Sequence, residues 1–277
     1  MGIATTELTP IEQTAFLTEY ARALDSRWPQ PILGDTLADD VVRKIDYDFK
    51  GLGVQTSVVC QAALRAKMLD DRVRDFVERH PDAVVVDLGA GLDSGFYRVA
   101  PPPSVDWYSV DLPGILALRD DVLPANPHSL SVPVSLVDEH WPDTIPADRP
   151  TMLIADGLFA FLAEPVIVGI FRRIPDHFAS GELAFNDYGR IGWFSRIAIK
   201  LYPQKMFKDV GSQFGYAGFK DAHHPETWNP QMTLVEEASL AHAPEVDLFP
   251  GWIRVATKLM GKSKSGARKA RILRYAF

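Results

Sequence analysis

The chain of 277 residues contains a single cysteine, Cys60, so neither an internal disulfide nor a cysteine-rich zinc site is available to it. Such usage suits the reducing cytoplasm, and Cys60, set among apolar and small neighbours in "SVVCQAAL", reads as a packing residue. Positive charge is also scarce, with a formal net charge of -7 and a pI near 5.5. That balance argues against a surface built mainly for nucleic acid or anionic lipid and points to small molecules or proteins as partners. No apolar run is long enough to span a bilayer. The most apolar stretch, "TMLIADGLFAFLAEPVIVGIF", is broken by Asp156, Glu164 and Pro165 and reads as a strand, a turn and a helix. The N-terminus lacks a basic region followed by an apolar stretch, so a cytoplasmic protein is expected. Also missing are a Walker lysine motif, a Gly-x-Ser-x-Gly elbow and a His-Glu-x-x-His zinc helix.

What is present falls into two parts. The first eighty residues are helical in pattern. Thr9, Pro10 and Glu12 stand where a capping box with an N1 proline wants them, and Phe16, Tyr20, Ala23 and Leu24 follow on one face. Leu37, Val41 and Ile45 recur four apart, and a third helix over about Thr56 to Arg79 lines up Leu69, Val73, Phe76 and Val77. From Asp82 the pattern turns to short β-branched runs separated by helical segments: "AVVVDL", "DWYSVD", "LSVPVSL", "TMLIAD", "ELAFND", "MTLVEEA" and "RILRYAF". Seven such strands predict an α/β fold with a doubly wound, Rossmann-like sheet. Residues 1–80 would then form an N-terminal helical cap and 81–277 the core, with a lid insertion at about 188–230, after the fifth strand. The basic segment "KLMGKSKSGARKA" reads as a solvated helix or loop leading into the last strand.

The chemistry centres on "DLGAGLDSG", Asp87 to Gly95. A glycine turn after the first strand lets a ligand approach the backbone. A dinucleotide fingerprint needs Gly-x-Gly-x-x-Gly, but here Gly89 and Gly91 are followed by Gly95, one place late, and Asp93 puts a carboxylate where a pyrophosphate would sit. S-adenosylmethionine, with a sulfonium and an ammonium but no phosphate, suits the acids better. Asp111, about 20 residues past the turn, is placed for a ribose, and Asp156 ends the fourth strand at the ligand-binding edge of the sheet. Each acid read singly could equally cap the helix that follows it. His223 and His224, in "HHPETW", are the candidates for a general base, although a loop turn accounts for them as well. The aromatics Tyr188, Trp193, Phe194, Tyr202 and Phe214 could line an acceptor pocket or pack the lid onto the cap. No metal site is expected.

"ARALDSRWPQPILGDTLADDVVRKIDYDF", "LRAKMLDDRVRDFVERHPDAVVVDLGAGLDSGFYRV", "WYSVDLPGILALRDDVL", "MLIADGLFAFL" and the end "RILRYAF" resemble, in this order, the leucine carboxyl methyltransferase superfamily. Within it they are most similar to bacterial O-methyltransferases of polyketide biosynthesis, the tetracenomycin type. The resemblance implies a class I methyltransferase sheet using S-adenosylmethionine. By position it implies that Arg65 grips the cofactor carboxylate, that Gly89 sits against the methionine moiety and that Asp111 holds the ribose, with Ala90, Gly91, Asp93 and Leu112 also in the cofactor site. Ser135 and Leu136 stand where the family has an Asp-Leu pair beside the adenine, with Asp138 nearby, and Asp156 replaces a glutamate at the methionine end. Gly95 stands where arginine is common in the family. The expected activity is in-line methyl transfer to a hydroxyl or carboxyl oxygen of a small aromatic or polyketide-like metabolite. The alternatives are a carboxyl methyltransferase acting on a protein C-terminus, an NAD-dependent oxidoreductase, and a non-catalytic binding protein that keeps the fold.

Overall fold

The computed structural model describes residues 8, 9, 11–188, 215, 216, 218, 219 and 221–277. Among them seven strands form one sheet: β1 (Val84–Leu88), β2 (Asp106–Asp111), β3 (Ser129–Pro133), β4 (Thr151–Ala155), β5 (Gly181–Asp187), β6 (Thr233–Ser239) and β7 (Arg271–Ala276), in the order β3-β2-β1-β4-β5-β7-β6. The first five run parallel, and β7 enters between β5 and β6 antiparallel to both. The chain leaves β1 toward β2 on one side and later returns to β4 on the other. This reversal opens a crevice at the carboxyl ends of β1 and β4, where sheets of this kind bind ligands. Every residue of β1 and β4 is buried, as continuous apolar runs covered on both faces require. β6, on the edge, alternates exposed and half-buried residues, and its Glu236 and Glu237 pair across the ladder with Arg274 and Arg271.

The helices are α1 (Thr14–Ser26), α2 (Thr36–Lys44), α3 (Thr56–Arg79), α4 (Gly95–Val99), α5 (Pro113–Val122), α6 (Glu164–His177), α7 (Gly251–Gly261) and α8 (Lys264–Ala267). Leu69, Val73 and Phe76 of α3 share a core with Val85, Trp107 and Met152, so α3 covers one face of the sheet. Ile167, Ile170, Phe171 and Ile174 of α6 cover the other, against Val84, Val86 and Leu153. A third cluster, containing Phe16, Tyr20, Val41, Phe49, Ile115 and Leu118, joins α1 and α2 to α5. Each such buried side chain contributes about 1.5–3 kcal/mol.

The capping box forms: Glu12 Oε2 accepts from Thr9 N at 2.8 Å, and Thr9 Oγ1 accepts from Glu12 N at 3.4 Å. Residues 11–13 are a turn, and regular α-helix begins only at Thr14. The other Glu12 oxygen accepts from Ile115 N at 3.2 Å, which satisfies an orphan donor of α5 and ties the two N-termini together. Most of the segment 188–230 expected to form a lid lies outside the described residues, and so do Trp193, Phe194, Tyr202 and Phe214. Tyr216, Phe219 and Trp228 pack against the α6 side of the sheet.

Candidate active site

A cavity of about 610 Å³ opens at the carboxyl ends of β1, β2 and β4, and residues of α1 and α3 contribute to its walls. Its floor is the glycine turn. Gly89 and Gly91 have φ of 68° and 51°, a left-handed backbone that side chains disfavour. A Cβ on Gly89 would lie 2.9 Å from Leu158 Cδ1, and one on Gly91 would lie 3.1 Å from Ala15 Cβ of α1. The turn is held by Gly89 N donating to Val110 O at 2.8 Å and by Gly91 N donating to Asp111 Oδ2, also at 2.8 Å. Asp111 Oδ1 accepts from Leu112 N at 2.7 Å. Burial raises the pKa of Asp111, against the lowering effect of those two amides. A carboxylate has about four acceptor sites, so Asp111 can still receive a ligand's hydroxyls.

Beneath the turn lies an ion network assembled from distant segments. Arg98 on α4 donates to Asp70 of α3 at 2.8 and 3.0 Å, to Asp35 before α2 at 2.7 Å, and to Asp93. Ser94 Oγ donates to Asp35 at 2.6 Å. Arg22 of α1 pairs with Glu19 at 2.5 Å and reaches Asp93 at 3.5 Å, while Arg119 of α5 donates to the carbonyls of Gly91 and Asp93. Burial alone would raise the pKa of Asp93, but Arg22, Arg98 and Arg119 outweigh it and hold the carboxyl well below its usual range. Glu19 goes the other way: burial, only partly offset by Arg22, pushes it up to about 7. Asp87, at the end of β1, lines the cavity and is raised by burial and by the neighbouring Asp93 charge. Gly95 also finds its reason here, since Trp107 of β2 stands over it and a Cβ would meet the indole at 3.2 Å.

At the opposite wall, Arg65 of α3 makes a two-pronged contact with Asp156, at 2.8 and 3.3 Å, and donates to Tyr188 Oη at 2.5 Å. Burial works against the Arg65 charge, but Asp156 and Tyr188 outweigh it and raise its pKa. Those three bonds leave guanidinium N–H groups available to a ligand carboxylate.

Of the residues singled out in the sequence, Arg65, Gly89, Ala90, Gly91, Asp93, Asp111, Leu112, Ser135, Leu136, Asp156 and Tyr188 all line this one cavity. Asp138 does not: it is exposed, and its carboxylate accepts from His140 N at 2.9 Å. Nor are His223 and His224 brought to the cavity. They occupy an exposed turn, where His223 Nδ1 lies 3.0 Å from Glu226 Oε2 and the His224 ring lies against Trp228. The turn is anchored by Glu226 accepting from Leu234 N at 2.7 Å, which keeps it beside β6. Sequence reasoning missed Arg22, whose only local signal is its flanking by small residues that prove fully buried, Ala21 and Ala23. Thr18 and Phe161, also on the cavity wall, carried no signal of their own.

The model of the leucine carboxyl methyltransferase family matches residues 15–175. This chain belongs to that family. The chain is 33% identical, over 99% of both chains, to the tetracenomycin polyketide synthesis O-methyltransferase TcmP of Streptomyces glaucescens. It is 28% identical to the S-adenosyl-L-methionine-dependent methyltransferase dpfgK of Gibberella zeae, over 85% of this chain and 84% of the relative. Among solved structures, a Thermobifida fusca protein described as a methyltransferase superposes with a TM-score of 0.55 at 18% identity, covering 92% of this chain and 93% of its own. The plantazolicin methyltransferase BamL superposes with a TM-score of 0.51 at 11% identity, covering 96% and 98%. These structural likenesses concern the fold.

Proposed function

We propose that this family member is an S-adenosylmethionine-dependent O-methyltransferase acting on a small apolar acceptor, aromatic or polyketide-like. One observation carries the reading: Asp111 faces the cavity from beside an open glycine turn, while the acid within that turn, Asp93, is bound to arginines. The residues fit the cofactor in shape and in charge. Gly89 and Gly91 present backbone where a side chain would collide with Leu158 or Ala15. Asp111 and Asp156 place carboxylates on the cavity wall, which favours a cationic ligand over a pyrophosphate.

S-adenosylmethionine, when bound, supplies the methyl group that an acceptor oxygen takes from sulfur. Asp111 would accept from its ribose hydroxyls, Arg65 would hold its amino-acid carboxylate, and Ser135 and Leu136 would border its adenine. Asp156 fixes the Arg65 guanidinium plane through its two contacts. Ile11, Leu17, Val58, Phe161 and Leu162 give the remaining cavity wall its apolar character, which suits an apolar acceptor and the exclusion of water. The relative TcmP, named for polyketide synthesis, supports the same acceptor class. The protein's task is alignment of acceptor, methyl and sulfur.

Titration calorimetry with S-adenosylmethionine, S-adenosylhomocysteine and NAD tests this. Both adenosyl compounds are expected to bind and NAD is not. NAD binding with no response to either adenosyl compound would refute the reading.

A further inference from the structure

Helix α7 carries an apolar face that no described residue covers. Trp252 is 75% exposed, Val255 56% and Leu259 57%, one helical turn apart along one stripe, while Ile253 on the opposite side is buried in the sheet-side core. Isolated exposed apolar residues are ordinary, but three aligned on one short helix form a surface. Arg254, Lys258 and Lys262, spaced four apart, form an exposed basic row along one edge of that stripe, in which Lys258 pairs with the exposed Asp247 while the Arg254 and Lys262 charges have no carboxylate in ion-pair contact among the described residues. Beyond Asp247 the chain has no acid and eight basic residues, against a net charge of -7 for the whole.

We infer that α7 is a peripheral docking helix for an anionic lipid surface. A Trp-bearing apolar stripe beside a row of Lys and Arg is the pattern of helices that lie in a membrane interface, with apolar groups among the acyl chains and cations at the headgroups. A second copy of this chain fits the face less well. An antiparallel two-fold pairing would set the basic rows side by side, and in any pairing three side chains fall well short of the roughly 800 Å² per partner typical of a stable protein interface. The acidic remainder of the molecule does not prevent local docking, because its repulsion is screened beyond about 10 Å at ordinary ionic strength. α8 packs on α7, and Lys269, two residues past α8, lines the cavity, so the basic segment runs from the docking face to the active site. On the methyltransferase reading, docking would present the cavity to a bilayer in which an apolar acceptor dissolves; the docking itself does not depend on that reading.

Co-sedimentation of the full chain with lipid vesicles tests the proposal. Partition onto phosphatidylcholine vesicles containing phosphatidylglycerol should exceed that onto pure phosphatidylcholine by about tenfold or more, and should collapse at high salt. Trp252→Ser with Leu259→Ser, and separately Lys258→Glu with Lys262→Glu, should each lower it about tenfold or more with Tm and S-adenosylhomocysteine binding unchanged. No binding by the parent protein, or binding indifferent to both variant pairs, would overturn the proposal. Self-association abolished by Trp252→Ser would give the face to a second copy, and a large fall in Tm would show it covered by the chain itself; either result overturns lipid docking.

Discussion

Asp93 and Asp111 flank the same glycine turn, yet they live in opposite environments. Asp93 is enclosed by Arg22 and Arg98, with Arg119 close by, and is held ionised; the Asp111 carboxylate accepts from the amides of Gly91 and Leu112 and faces the cavity. The first acid locks α1, α4 and the turn into one unit. The second keeps acceptor capacity for a ligand. Acids adjacent to a binding turn therefore divide into those that build it and those that face the ligand, and the arginines around them tell which is which.

Breaking the Asp93 side should show in stability. Arg98→Met would leave Asp35, Asp70 and Asp93 buried without their shared cation and should cost about 3–5 kcal/mol in urea unfolding. A loss under 1 kcal/mol would make the network incidental. A sharper test uses Glu19, whose pKa is raised from 4.5 to about 7 in the fold. A raised carboxyl leaves stability intact below pH 4.5 and erodes it as pH climbs to about 7, by about 3 kcal/mol in total. Glu19→Gln should flatten the stability profile between pH 4.5 and about 7, and an unchanged slope there would contradict the assignment. The smallest effect is expected at Gly95→Leu, where crowding against Trp107 should cost about 1–3 kcal/mol, readable as a lower Tm.

Much of this was legible in the sequence, for physical reasons. Strands buried on both faces must be largely apolar, so β1 and β4 appear as short apolar runs, while the edge strand β6 shows as an alternation and α3 spans Thr56–Arg79 as its periodicity predicts. The glycine turn and Asp111 could be read because a positive φ and a fixed strand-turn-strand spacing leave local marks. The ion network left none. Asp35 and Arg98 are 63 residues apart and Asp70 and Arg98 are 28 apart, and only the packing of α2, α3 and α4 brings them together. The antiparallel entry of β7 between β5 and β6 was equally hidden, since alternation along a strand does not reveal its direction. His223 and His224 illustrate the converse: chemically capable residues that an anchored surface turn holds away from the cavity.

On the proposed function, Asp111 is the ligand-facing acid of a sulfonium-cofactor site. The most direct measurement is the affinity of Asp111→Asn for S-adenosylhomocysteine by calorimetry, with Tm recorded alongside. Losing charge-assisted bonds to the ribose should weaken binding about 10- to 100-fold while Tm falls far less than in Arg98→Met. A variant that binds S-adenosylhomocysteine as tightly as the parent would contradict the account.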